Sequence, residues 1–186
     1  IRDRINTTTD TRDYLAKSRQ DAERKGYADW LIVDVDAHHV ETVSWPEVTS
    51  FIEDPVVRDQ AKMYHSERIG APPYGLNGDL GLRYQDVGGR IPHQSSQREK
   101  VTETDVHRDV VLTRRAMHGL GVDYMVIFPT PMLFLGMHPQ TEMEVFLSRA
   151  YNRWLTEIVL PGDPGMVTLV VLPFNTPVEA LKMVEE

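Results

Sequence analysis

Hydrophobic and polar residues alternate most sharply over residues 29–40, where Leu31, Val33, Val35 and Ala37 interleave with Ile32, Asp34, Asp36 and His38. A period of two predicts a β-strand. One of its faces is wholly apolar, and the other carries two carboxylates and an imidazole. Before it, residues 9–25 predict a helix, with Thr9 or Asp10 as cap and Gly26 as stop. Its apolar stripe is thin, chiefly Tyr14, Leu15 and Ala22, so it is expected on the surface or against a neighbouring subunit. After the strand, residues 42–103 hold no sustained period beyond a short helix around Pro55–Tyr64. Six of the 12 glycines fall between Gly70 and Gly89. Irregular connections of this length are as a rule functional or disordered.

Regular patterning resumes at residue 104. A helix is expected from Asp105 to His118, capped by Thr104 or Asp105 and closed at Gly119 or Gly121. Tyr124–Phe128 reads as a short buried strand. Thr141-Glu-Met-Glu144 has the form of a capping box. It opens a long helix with Met143, Phe146, Leu147, Tyr151, Trp154, Leu155 and Ile158 on one buried stripe. Pro161–Gly165 stops it, and Met166–Leu172 is a continuous apolar strand. Thr176-Pro177-Val-Glu179 starts a further helix, with Pro at its first position. Alternating strands and helices predict an α/β fold with a parallel sheet and right-handed connections.

Three such units make either a small open sheet or the N-terminal portion of a (β/α)8 TIM barrel. The polar face of the first strand favours the barrel, because a strand of a doubly wound sheet is apolar on both faces. A barrel places such side chains inside, near its C-terminal mouth. The expected organisation is an N-terminal helical extension over residues 1–28 and a partial barrel over 29–186, with an insertion over 42–103. A whole barrel takes about 250 residues. Its remainder is therefore expected in the same or another chain.

Composition narrows the chemistry. Asp and Glu number 28 against 20 Lys and Arg, a formal charge of −8, which argues against a nucleic-acid partner. There is no cysteine, which removes disulfide scaffolds, thiolate metal sites and cysteine nucleophiles. No apolar run approaches the roughly 20 residues of a membrane span and no signal peptide is visible. A cytoplasmic protein without a membrane partner is the expectation.

Asp36 and His38 lie two residues apart on one strand face, about 7 Å along the strand, with Glu41 just beyond. Carboxylate and imidazole suit Zn, Mn, Fe or Co. The competing reading is that Asp36 orients a core histidine. His138, in the loop after the second strand, and Asn175, after the third, are candidate substrate contacts, since barrel mouths are built from such loops. The same loop carries Met132, Leu133, Phe134, Leu135 and Met137, a substrate wall or a subunit contact. His107 reads as part of a helix start and His118 as a residue of a helix end. His65 and His93 fall in the insertion.

Val35-Asp36-Ala37-His38-His39-Val40-Glu41 resembles the first-strand motif of the amidohydrolase-related proteins. These are the branch of the amidohydrolase superfamily that includes the aminocarboxymuconate-semialdehyde decarboxylase relatives. Members carry His-x-His, or an acidic residue in place of the first His, at the end of the first barrel strand. The resemblance continues through Asp105–Phe128, Tyr151-Asn152-Arg153-Trp154 and Leu172-Pro173, leaving out the insertion and the N-terminal helix. It implies a metal-dependent enzyme that hydrolyses or decarboxylates a small carbonyl- or carboxylate-bearing substrate with a metal-activated water. Asp36 and His38 would be ligands of a divalent Zn, Mn or Fe, and Glu41 either a residue supporting those ligands from behind or an additional ligand. The family's remaining ligands and its proton-transferring Asp come from later strands, which this sequence does not contain. A homo-oligomer is expected. Two alternatives stay open. One is an iron-dependent oxygenase on the same scaffold. The other is a non-catalytic α/β assembly subunit that uses the Phe134 loop, its Asp36/His38 pair being structural.

Overall fold

The computed structural model describes residues 12–39, 41, 44–63, 101–103 and 105–186, without the side chains of residues 131 and 134. They fall into two compact units. The first takes residues up to 39, those up to 128 that follow the gap, and 159–168; the second takes 41–63, 129–158 and 169–186.

The first unit holds the sheet. Strand β1 (Val33–His39) neighbours β2 (Tyr124–Pro129), which pairs in parallel with β3 (Met166–Thr168). Met125 stands opposite Met166, and Ile127 opposite Thr168. The Thr168 hydroxyl donates to the Ile127 carbonyl at 2.7 Å, which fastens the β2–β3 edge. Asp123 fixes the entry of β1: its backbone N–H donates to Ile32 O at 2.9 Å and its carboxylate accepts Ile32 N–H at 2.8 Å. β3 is shorter than the apolar run Met166–Leu172 predicts; residues 169–173 follow it without strand pairing. Continuous hydrophobicity marks a buried strand only where a partner is present to pair with.

Two helices of this unit pack together, α1 (Arg12–Arg24) and α4 (Arg108–Leu120). They meet at Gly119, where a Cβ would stand 2.8 Å from the Leu15 Cβ, so only glycine permits this approach. Thr104 lies outside the described residues, and the cap of α4 is His107 rather than Asp105. Its Nδ1 accepts the Asp109 N–H at 3.2 Å. Gly121 ends the helix at φ 71°. The guanidinium of Arg114 then holds the approach to β3, bonding Asp163 Oδ2 at 2.8 Å and the Gly162 carbonyl.

The second unit is helical: α2 (Trp45–Ser50), α3 (Pro55–Lys62), α5 (Thr141–Trp154) and α6 (Pro177–Glu185). Trp45, Leu147, Tyr151 and Trp154 form its buried centre. Both indoles find acceptors, Trp45 Nε1 at Ala61 O (2.9 Å) and Trp154 Nε1 at Glu47 Oε2 (3.0 Å). The insertion therefore contains two packed helices. α2 is missed by periodicity because it spans only 6 residues. α3 starts at Asp54, whose carboxylate accepts Val56 and Val57 N–H at 2.8 and 3.0 Å.

Two expectations for the long helix fail. The cap is Gln140 and makes no side-chain bond, so the capping box does not form. The buried stripe breaks at its end, where Ile158 is exposed. The helix widens into a π-turn over Leu155–Val159, and an i→i+5 turn carries later residues off a 3.6-residue face. Likewise Thr176 makes no side-chain cap to α6, and Glu179 pairs instead with Lys182 and Arg149.

The fold is thus mixed α/β with a three-stranded parallel sheet. Among the described residues no helix is long and apolar enough to cross a membrane. At Gly121 both the positive φ and a Cβ position 2.9 Å from the Ala22 Cβ exclude a side chain. Gly121→Ala is expected to lower stability by about 2 kcal/mol, read as a reduced urea midpoint at unchanged m-value. An unaltered midpoint would contradict this account of the α1–α4 junction.

Candidate functional site

Alternation along β1 decides what its last residues can do. Asp34, Asp36 and His38 share one face, and His39 takes the other. Asp34 folds back on its own strand, its Oδ1 accepting the Asp36 N–H at 2.9 Å. His38 Nε2 stands 3.2 Å from Asp36 Oδ1. The Asp36 side chain is 80% exposed and that of His38 14%. The His38 ring meets Phe128 edge-on, centroids 4.2 Å apart and planes at 65°, which fixes its orientation. An ion bound at about 2.0–2.2 Å by two ligands at right-angled to tetrahedral geometry holds them roughly 3.0–3.4 Å apart. The observed separation matches two adjacent ligand positions.

His39 is a different kind of histidine. Its Nδ1 lies 3.9 Å from Asp109 Oδ2, too far for a hydrogen bond. Burial away from water, helped by His38 and His107 and opposed by Asp109, lowers its pKa to about 4. At neutral pH the ring is uncharged, and its contact with Asp109 is not an ion pair.

Glu41 does not present a free carboxylate for a metal. It is wholly buried; Oε2 accepts the Thr130 N–H at 3.1 Å and Oε1 the Met132 N–H at 2.7 Å. Ligating an ion would strip two buried backbone donors of their acceptor. Among the described residues no group of three or more acidic or histidine side chains is arranged to hold a metal.

Asn175 is also committed internally. Its Nδ2 donates to Gly136 O at 2.8 Å and to Glu144 Oε2 at 3.0 Å, so neither amide hydrogen is left to recognise a substrate. His138 is buried and turned onto its own loop, where Nδ1 accepts the Gln140 N–H at 3.1 Å ahead of α5. Of the apolar loop, Met132 and Leu135 are core, and Leu133 and Met137 are exposed. His65 and His93 lie outside the described residues.

The residue most clearly missed by sequence reasoning is Glu144. It is wholly buried, and accepts N–H donors from Phe174 at 2.6 Å and Asn175 at 3.4 Å. Its position in a helix start suggests a cap, and its partners thirty residues away leave no local signal.

The chain matches no protein-family model and no curated protein.

The buried His39 sets a pH window for stability. Above pH 6.5 the ring is neutral folded or unfolded. Between pH 6.5 and about 4 only the unfolded chain takes up the proton, so stability falls with pH, by on the order of 3 kcal/mol in all. The depressed carboxylates Asp21, Asp59 and Asp163 start from 3.8 and Glu103 and Glu179 from 4.5, so they add to the loss only at the acid end of this window and below it, and do so equally in the wild-type chain and the variant. Denaturant unfolding at a series of pH values is expected to show the loss in the wild-type chain and a much flatter profile in His39→Leu. An equally steep profile in the variant would refute the assignment.

Proposed function

We propose that this chain is the first three βα units of a metal-dependent enzyme of the amidohydrolase-related type. The observation that carries the reading is the Asp36/His38 pair. Carboxylate and imidazole stand 3.2 Å apart, Asp36 at the middle and His38 near the C-terminal end of the first strand of a parallel sheet, the end at which α/β proteins build their sites.

Asp36 and His38 would hold a divalent Zn, Mn or Fe as two adjacent ligands. A metal bound there acts as a Lewis acid toward a carbonyl or carboxylate and lowers the pKa of a bound water. Two protein ligands fall short of the three that catalytic zinc sites use, so further ligands come from outside the described residues. The role of this chain's residues is orientation. Phe128 fixes the His38 ring, and β1 sets the spacing to Asp36. A small carbonyl- or carboxylate-bearing molecule is the substrate class this chemistry suits, by hydrolysis or by decarboxylation.

Exposed apolar surface supports a partner that completes the fold. Leu31, Val33 and Val35 on β1 and its approach are exposed, as are Val178, Leu181 and Val184, spaced three apart along α6. Soluble proteins seldom leave such runs open to water. The barrel's remaining βα units, in the same or another chain, are the occupant this reading assigns to them. The same surface also favours the second reading, a non-catalytic assembly subunit.

Metal affinity separates the two. Competition with a chromophoric chelator is expected to show Zn²⁺ or Mn²⁺ binding that weakens at least about tenfold in Asp36→Ala and in His38→Ala, with helical circular dichroism unchanged. Equal affinity in all three proteins would leave only the assembly reading.

A further inference from the structure

Two wholly buried carboxylates, Glu41 and Glu144, reach the segments after β2 and β3. Glu41 accepts the N–H groups of Thr130 and Met132, at the start of the segment after β2. Glu144, from α5, accepts the N–H of Phe174 with Oε1 and of Asn175 with Oε2, in the segment after β3. Asn175 Nδ2 joins the two segments, reaching Glu144 Oε2 on one side and the Gly136 carbonyl on the other. Phe174 adds an apolar link, its Cδ2 lying 3.1 Å from where a Cβ on Gly136 would stand.

We propose that Glu41, Glu144 and Asn175 form a brace that makes the segments 130–138 and 173–176 one positioning unit, with Asn175 as the member that couples them. Each glutamate comes from the βα unit before the segment it holds. Glu41 follows β1 and holds the segment after β2; Glu144 follows β2 and holds the segment after β3. Both carboxylates face N–H donors, so an isosteric amide does not replace them. Its NH₂ would point at a backbone N–H, leaving two buried donors opposed. Glu144 lies three, seven and ten residues before Leu147, Tyr151 and Trp154, on the packed face of α5, so the helix cannot turn it to water. The brace fixes the segment that carries His138, and it stands on these bonds alone, whether or not Asp36 and His38 bind a metal.

Backbone amide hydrogen exchange read by NMR on the whole chain tests it. The His138 N–H, bonded to Leu135 O at 2.9 Å, reports on the first segment, and the Phe174 N–H on the second. Asn175→Ala, at an exposed position, is expected to speed His138 exchange about tenfold while Leu147 in α5 is unchanged. Glu144→Gln is expected to speed Phe174 and His138 together. A merely local role would leave His138 unmoved in both variants, and that result overturns the coupling. Wild-type Phe174 protection in Glu144→Gln overturns the carboxylate's part. Should Glu144→Gln fail to fold, Asn175→Ala decides the proposal by itself.

Discussion

A carboxylate removed from water must be met by hydrogen-bond donors, and much of the second unit is arranged around meeting two of them. Glu144 sits on the same face of α5 as Leu147, Tyr151 and Trp154, so packing that helix carries the charge inward. Isolated burial of such a group costs several kcal/mol. Backbone amides of Phe174 and Asn175 and the Asn175 side chain offset that cost. Charge-assisted bonds of this kind are roughly twice as strong as neutral ones. The same bonds fix the conformation of the segment that supplies the donors. Helix packing and loop position are therefore one energetic fact in this unit.

The acidic and histidine residues divide by exposure. Glu41, Glu144 and Asp109 are buried and engaged with backbone or neighbouring side chains. His39, on the face of β1 opposite His38, is held neutral by burial at its end of the strand. Asp36 alone of the candidate ligands projects well into solvent, with His38 beside it. The first group is bound into the fold, and the second is the pair proposed to hold a metal ion. Strand alternation puts His38 and His39, adjacent in sequence, on opposite faces of β1.

The strand–helix order, the parallel sheet and the Asp36/His38 pairing were legible because each follows from a local period: two for β1, 3.6 for α4 and α5. The roles of Glu41 and Asn175 were not. A glutamate just past a strand end looks the same whether it faces an ion or the N–H groups of Thr130 and Met132, 89 and 91 residues further on. Glu144 shows the reverse error, since a local capping pattern was present and a distant partner won. The shortness of β3 was hidden for a related reason. An apolar run records that burial is available, and only pairing across the sheet makes it a strand. α2 escaped because six residues are too few to show a helical period.

A metal ion bound by this chain is proposed to sit on Asp36 and His38, whereas Glu41 is held by the backbone N–H groups of Thr130 and Met132. The most direct measurement is an NMR titration of the ¹⁵N,¹³C-labelled chain with Zn²⁺, following the ring nitrogens of His38 and the side-chain carboxyl carbons of Asp36 and Glu41. The His38 Nε2 and Asp36 Cγ resonances are expected to move together while Glu41 Cδ stays at its starting position. Movement of Glu41 Cδ with His38 and Asp36 unchanged would contradict that placement.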